Sequence, residues 1–427
     1  MTEEPAGRGV VAIVDAYSSA RFLASEFRRR GYKCMHIRSA PVVNASYARS
    51  YHPEDFVAEV VHQGDTARTA AIVAEFGPLC LLPGIESGVE LADALSEALH
   101  LRTNGTQLSG SRRDKYLMGE RIRAAGVPTA EQILATDLDT LLNWQKKSDG
   151  RMVVLKPLRS AGNDGVRFCD GADQVRAAFE TLIGTDSALG THNTEVLAQE
   201  YLPGAEYLVN TVSFDGRHHV TDLWRMHHLS ANGVRDLGAG AVLLPRHGVE
   251  QDALVDYAVR VLDALGVRNG PAHSEVKLTP DGPRLIETAA RICGADLHIP
   301  VRAATGASQI EWTADAYVDP DRFRAGWADD YELSRHAGLV NMISPTAGEL
   351  ANYPRMAELQ ALDSFHSLTL SAQPGGAIHR TVDDWTYPMR VFYVHALEST
   401  VMHDILSTRH MDGHGFYDVV PAPAATS

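Results

Sequence analysis

The chain has 427 residues, 44% hydrophobic and 22% charged, proportions that exclude a disordered chain, a coiled coil and a collagen. At roughly 100–200 residues per domain, that length predicts two or three domains. Lys and Arg number 39 against 54 Asp and Glu, a formal charge of −15, which argues against holding long nucleic acid by phosphate neutralisation.

Cys34, Cys80, Cys169 and Cys293 form no CxxC pair, so neither a disulfide framework nor a zinc knuckle is expected. The first residues, Met-Thr-Glu-Glu-Pro, lack the basic-then-apolar plan of a signal peptide. No apolar run approaches the roughly 20 residues that span a bilayer. A cytoplasmic protein without membrane contact is predicted. Asn44-Ala-Ser and Asn104-Gly-Thr are accordingly read as chance glycosylation triplets.

In chain order, Val10–Val14 is a β-branched strand ending at Asp15. Ser18–Arg30 follows with helical spacing and stops at Gly31, and Lys33–Ile37 reads as a second strand. Helix Thr66–Phe76, strand Pro78–Leu82 and helix Gly88–Leu99 continue the alternation. This predicts a Rossmann-like parallel sheet with helices on both faces and ligands at the carboxyl ends of its strands. No GxGxxG follows the first strand, so no dinucleotide is expected there. The segment from Pro83 to Gly88 sits at such a carboxyl end, either as a turn with a helix cap or as a substrate loop using Glu86 or Ser87.

From Asp114 the pattern becomes α+β. A helix over Asp114–Ala125 precedes strands at Met152–Lys156, Val166–Phe168, Glu195–Gln199, Glu206–Ser213, Ala272–Leu278 and Arg284–Thr288. Beyond about residue 325 the signals weaken, with strands predicted at Leu339–Ile343, Ser367–Ser371 and Val391–His395 and a disordered tail at Pro421–Thr426. The expected domains are 1–112, 113–325 (lobes 113–200 and 201–325) and 326–427.

Strand residues two apart share a face, so His273, Glu275 and Lys277 do, as do Glu287, Ala289 and Arg291. A three-residue turn, Pro280–Gly282, sets Glu275 opposite Glu287. Opposed carboxylates repel unless a cation sits between them, and Mg2+ prefers such hard oxygen ligands. The alternative is a solvated outer face.

Lys156 closes an apolar strand and is followed by the small, polar segment Ser160-Ala-Gly-Asn-Asp-Gly165. This suits a polyphosphate, although no Walker A motif is present and an ordinary hairpin turn fits as well. Lys115 reads equally as a surface lysine. In Gln199-Glu-Tyr-Leu-Pro-Gly-Ala-Glu206, a strand edge freed by Pro203 can present backbone groups to an adenine, with Glu206 near a ribose.

Taken in order, Asp-Lys115-Tyr, Val-Val-Leu-Lys156-Pro, Gln-Glu-Tyr-Leu-Pro-Gly-Ala-Glu206, His-Ser-Glu275-Val-Lys and Leu-Ile-Glu287-Thr-Ala-Ala-Arg291 resemble the ATP-grasp superfamily of carboxylate–amine ligases. The segment from Glu86 to Asp93, His273-Ser-Glu and Glu287-Thr-Ala-Ala-Arg-Ile are similar to the L-amino acid ligases, which make dipeptides without a ribosome.

The resemblance implies a fold: a Rossmann-like N-terminal domain, then an ATP-grasp fold, then a small C-terminal α+β subdomain. It also implies residue roles. Lys115 and Lys156 contact ATP phosphates. Ser160, Ala161 and Gly162 belong to a flap over them. Gln199, Glu200 and Leu202 form the adenine hinge, and Glu206 holds the ribose. Glu275 and Glu287 bind Mg2+, with Mn2+ as the alternative ion, and Arg291 stabilises an acyl-phosphate. Glu86, Ser87, Arg225 and His273 are candidate substrate contacts. The alternatives are a plain surface strand for Arg225 and a structural role for His273. Arg235, Arg246 and His247 read as solvated loop residues. Many ATP-grasp enzymes have Asn where this chain has Ala289, which leaves a second metal in question.

The implied activity joins an amino acid carboxylate to an amine, such as another amino acid, with ADP and phosphate released. A homodimer is implied by the same resemblance. Competing readings are a purine-biosynthetic or biotin carboxylase-like ligase and a non-catalytic ATP-binding regulator. Glu287→Ala or Arg291→Ala is expected to abolish turnover without unfolding the protein.

Overall fold

A computed structural model describes residues 8–147 and 151–420, so the predicted tail Pro421–Thr426 lies outside the described residues. Strands Ala58–Val61, Lys33–Arg38, Val10–Val14 and Pro78–Pro83 lie in that order in a parallel sheet. Val11 and Ile13 enter one core with Leu23 and Phe27, while Ala12 and Val14 enter another with Val73, Leu91 and Leu95. Both faces are covered, which is why Val10–Val14 is an unbroken apolar run rather than an alternating one. The first helix spans Arg21–Arg29 and not Ser18–Arg30, because Ser18 takes φ +52° and Ser18–Ala20 forms a 3-10 turn.

The carboxyl ends of these strands are tied together at Asp15. Its carboxylate accepts hydrogen bonds from the Ser39 N–H (2.8 Å), the Ser39 hydroxyl (2.5 Å) and the Ser87 hydroxyl (2.5 Å). Gly84 packs so closely here that a Cβ would lie 2.3 Å from the Asp15 carbonyl oxygen.

A second, antiparallel sheet runs Gln132–Ala135, Val196–Glu200, Val153–Lys156, Arg167–Cys169, with helices Leu138–Lys147 and Ala172–Leu182 packed on it through Leu141, Val175 and Phe179. The third sheet has eight antiparallel strands in the order Gly282–Ala289, Gly270–Thr279, Ala205–Phe214, Arg217–Ala231, Val234–Leu243, His336–Asn341, Met389–His395, Phe365–Leu370. The last three are the strands foreseen near the C-terminus, and they extend this sheet rather than forming one of their own. Helix Val249–Ala264 covers one face of it through Leu254, Ala258 and Val261. Helix Gln309–Val318 reaches back to the parallel sheet, where Arg30 donates to the Glu311 carbonyl (3.0 Å). No described helix is long and apolar enough to cross a membrane.

The metal-candidate hairpin differs from its predicted register in an instructive way. Thr279 pairs with Gly282, so the turn is the two residues Pro280 and Asp281, not the expected three. A β-bulge then falls between Val276 and Glu275, leaving Ile286 as the extra residue and restoring Glu275 opposite Glu287. Two register differences cancel, and the carboxylate pair survives.

Gly84→Ala is expected to lower stability by about 1–3 kcal/mol through overpacking against a backbone oxygen. Gly110→Ala, where the nearest atom to a new Cβ is 3.7 Å away, serves as the near-neutral comparison in urea unfolding.

Candidate active site

The three sheets converge on a cavity of about 1090 Å3, at the upper end for small-molecule sites. Most of the residues expected to act together line it. Lys115, Lys156, Ser160, Ala161, Gly162, Gln199, Glu200, Leu202, Glu206, His273, Glu275, Glu287, Glu86 and Arg291 all do.

At its centre Glu275 and Glu287 face each other across the hairpin. The Lys115 ammonium lies 2.8 Å from Glu287 and also donates to the Ser160 carbonyl (3.1 Å). Lys115 is delivered there because Asp114 caps its helix, accepting from the Tyr116 and Leu117 N–H groups (3.0 Å each). Removal from bulk water favours neutral carboxyls at both glutamates. At Glu287 the charge of Lys115 overrides this and lowers the pKa, whereas Glu275, facing the Glu287 charge, is raised. An acidic pair split in this way is a fitting cradle for a divalent cation.

Lys156 ends its strand fully enclosed, and among the described residues no carboxylate lies within ion-pair distance of it. Burial, aided by repulsion from Lys115, lowers its pKa to about 8. Beside it, strand Val196–Glu200 donates the Glu200 N–H to the Glu131 carbonyl (2.9 Å), and Tyr201 donates to Met152 (3.1 Å). Leu202, with the Pro203 break after it, carries the next N–H along this edge. Glu206 lies 3.4 Å from Lys277 and 3.6 Å from His228, and burial raises its pKa in spite of Lys277.

Arg291 is held by a bidentate pair with Glu86, at 2.8 Å from Nε and 2.7 Å from Nη2. Burial opposes ionisation of Glu86, but the Arg291 charge and its hydrogen bonds hold the carboxyl down to about 2. His273 is oriented from both sides, with Nδ1 2.8 Å from Asn210 Oδ1 and Nε2 3.2 Å from Glu275. Asn210 in turn donates to the buried Asp222 (2.5 Å). A polar chain therefore runs from the sheet interior to Glu275.

Two substrate candidates are corrected. Ser87 does not line the cavity, because its hydroxyl is donated to Asp15. Arg225 is exposed on the outer face of its strand, while Met226 and His228 turn inward. Glu86 is engaged by Arg291, so its carboxylate acts first as the anchor of that guanidinium. Arg235, Arg246 and His247 lie outside the cavity, and the latter two pair with Asp252 and Asp330. Sequence reasoning missed Lys277 as a partner of Glu206, although its two-residue spacing from Glu275 was the available signal. It also missed Tyr47, Asp384, Trp385 and Arg390, which line the cavity from a four-residue helix, an irregular segment and the start of a C-terminal strand far away in the chain.

An ATP-grasp domain model matches residues 150–298. Over 389 residues the chain is 34% identical to dapdiamide A synthase of Enterobacter agglomerans, covering 88% of this chain and 89% of that one. The chain belongs to the ATP-grasp family. It is a carbon–nitrogen ligase of that family, one that forms an amide bond. The ATP-grasp fold extends to solved structures. An L-amino acid ligase from Bacillus licheniformis superposes with a TM-score of 0.76 at 17% identity, covering 98% of this chain and 100% of that one. An ADP complex of N5-carboxyaminoimidazole ribonucleotide synthetase gives 0.70 at 18% identity, covering 96% and 99%. ATP-grasp enzymes work on small molecules and use ATP with Mg2+.

The Glu86–Arg291 pair adds a stability cost to the expectation that Arg291→Ala abolishes turnover without unfolding the protein. Removing one partner strands a buried charge, so Arg291→Ala is expected to lose about 3–5 kcal/mol in urea unfolding. Adding Glu86→Gln to the same chain should recover part of that loss.

Proposed function

We propose that this ATP-grasp ligase activates an amino acid carboxylate as an acyl-phosphate and joins it to an amine, such as a second amino acid. The observation that carries the reading is the convergence of Glu275, Glu287, Lys115, Lys156 and Arg291 on one cavity that also receives the Gln199–Leu202 edge. The likeness to dapdiamide A synthase, at 34% identity over 389 residues, supports it.

In the first step a substrate carboxylate oxygen attacks the γ-phosphorus of ATP, the bond to the β-phosphate oxygen breaks, and ADP leaves. In the second step the amine attacks the acyl carbon, the bond to the phosphate oxygen breaks, and phosphate leaves. The amine proton passes to that phosphate or to solvent. The protein's contribution is positioning and charge compensation rather than covalent chemistry. Lys156 faces the phosphates from the strand end, Gln199, Glu200 and Leu202 hold the adenine edge, and Glu206 takes the ribose hydroxyls. Arg291, rigidly held by Glu86, faces the charge that grows on the acyl-phosphate. Glu275 and Glu287 would hold Mg2+, which when bound neutralises phosphate charge. With Glu287 holding the ion, Lys115, now 2.8 Å from that carboxylate, would be free to meet a phosphate oxygen.

The deciding experiment measures ATP-dependent phosphate release over amino acids, singly and in pairs, with mass spectrometry of the products. The expected product mass is the sum of one pair minus water; release without any such product would overturn amino-acid ligation. Glu287→Gln is expected to lower turnover by roughly 100-fold or more while the protein stays folded.

The lowered pKa of Lys156 fixes a pH dependence. Above about pH 8 the free enzyme loses this proton, whereas bound phosphate favours the ammonium. ATP binding near pH 9 is therefore expected to take up a proton and to be weaker than at about pH 6.5, where no uptake occurs. Calorimetry in two buffers of different ionisation enthalpy reads this directly. Equal heats in both buffers near pH 9 would remove Lys156 from the phosphates.

A further inference from the structure

The segment Ser160–Gly165 is held shut from outside the sheet that carries it. Four hydrogen bonds tie its first residues down. The Ser160 carbonyl accepts from Lys115 (3.1 Å), the Ala161 carbonyl from the Trp385 indole N–H (3.1 Å), and the Gly162 carbonyl from the Asp384 N–H (3.2 Å). Asn163 donates its amide to the Asp384 carboxylate (3.3 Å). The fit is close. Gly162 has φ +67°, and a Cβ there would lie 3.1 Å from both Asp384 Cβ and Trp385 Nε1. Trp385 is itself placed by the Tyr47 ring, edge-on at 5.2 Å, and by its own N–H donated to Asp383 (3.1 Å). A second tie runs through Asn44, which donates to the Ala188 carbonyl (3.1 Å), while the Ala188 N–H is given to Asp164 (2.6 Å). The loop expected to cover the phosphates is thus gripped by the C-terminal segment around Trp385 and by the first parallel-sheet unit.

We propose that Trp385 and Asp384 are positioning residues that latch this loop over the reaction centre and keep water from the activated carboxylate. The part concerning water rests on the acyl-phosphate reading above. These residues touch the loop's backbone and act through it. The physical reason is that a short turn with three residues in the left-handed region, Gly162 at φ +67°, Asn163 at φ +60° and Gly165 at φ +71°, has little sheet pairing of its own. Its closed population is set by the bonds it makes outward. Because Trp385 and Tyr47 also line the cavity, substrate in that region would meet the latch directly. This couples closure to occupancy of the substrate side and limits hydrolysis of the intermediate before the amine arrives.

The test compares the wild type with Trp385→Phe, which keeps an aromatic ring on the Tyr47 side and removes the N–H donor together with part of the indole. Asn163→Gly, tolerated at positive φ, is the second variant. Deuterium exchange by mass spectrometry is followed in peptides spanning 158–168, without nucleotide and with the Mg2+ complex of a non-hydrolysable ATP analogue. The loss of one hydrogen bond is expected to speed exchange in these peptides roughly five- to tenfold. Peptides covering Val10–Val14 should be unchanged, which establishes that the fold is intact. With the active amino acid pair, both variants should release more phosphate per amide formed than wild type.

Unchanged exchange in both variants overturns the latch. Faster exchange with a wild-type phosphate-to-amide ratio overturns its role in excluding water. Hydroxylamine trapping on the wild type separates the two readings: absence of any hydroxamate sinks the acyl-phosphate, while the exchange data still judge the latch.

Discussion

Glu275 and Glu287 are set directly opposite each other on a hairpin that forms one wall of the cavity, and two carboxylates so placed cannot both stay charged without compensation. Much of the surrounding architecture answers that constraint. Lys115 arrives from a helix start, Lys156 from a strand end in the small antiparallel sheet, and His273 from the same strand as Glu275. Each comes from a different local context, and each brings positive charge or a hydrogen-bond donor to the same few ångströms. The compensation is internal, and among the described residues it leaves Lys156 with no carboxylate within ion-pair distance.

The bond between Glu86 and Arg291 does a second job. Glu86 lies in the loop after a parallel strand, and Arg291 follows the hairpin strand that carries Glu287. Their bidentate pair joins the parallel sheet to the antiparallel one at the cavity. The same loop is fastened to Asp15 through Ser87 and pressed against the Asp15 carbonyl at Gly84. A residue expected to face substrate is therefore a structural clamp, and its neighbour is the anchor of a guanidinium that faces the reaction centre. Stability and chemistry share these atoms, so losses at Arg291 are read only when folding and turnover are measured together.

Ala289, where the resemblance to ATP-grasp enzymes leads one to expect Asn, offers no side-chain oxygen to a cation. Across the hairpin from Ala289 stands His273, tied to Asn210 and through it to Asp222. That chain orients Glu275 from the side, a different means of fixing one carboxylate.

The sequence alone determined three of the four parallel strands and the helices alternating with them, because strands covered on both faces are mainly apolar; the edge strand Ala58–Val61, only partly buried, carried no such run. It also determined which charged residues of the ordered motifs come together, because strand periodicity puts His273, Glu275 and Lys277 on one face and the motifs match an ATP-grasp enzyme. The opposition of Glu275 and Glu287 was legible too, though the predicted turn was one residue too long and a bulge at Ile286 made up the difference. A bulge is set by how the whole sheet twists and packs, and no local pattern announces it. Tertiary structure alone decided that Arg225 faces outward, that Ser87 serves Asp15, and that Trp385, more than two hundred residues away, meets the loop at Gly162. Those contacts join segments with no shared periodicity. The Trp385 contact arises because the chain returns to the eight-stranded sheet late, adding its C-terminal strands at the edge opposite the hairpin.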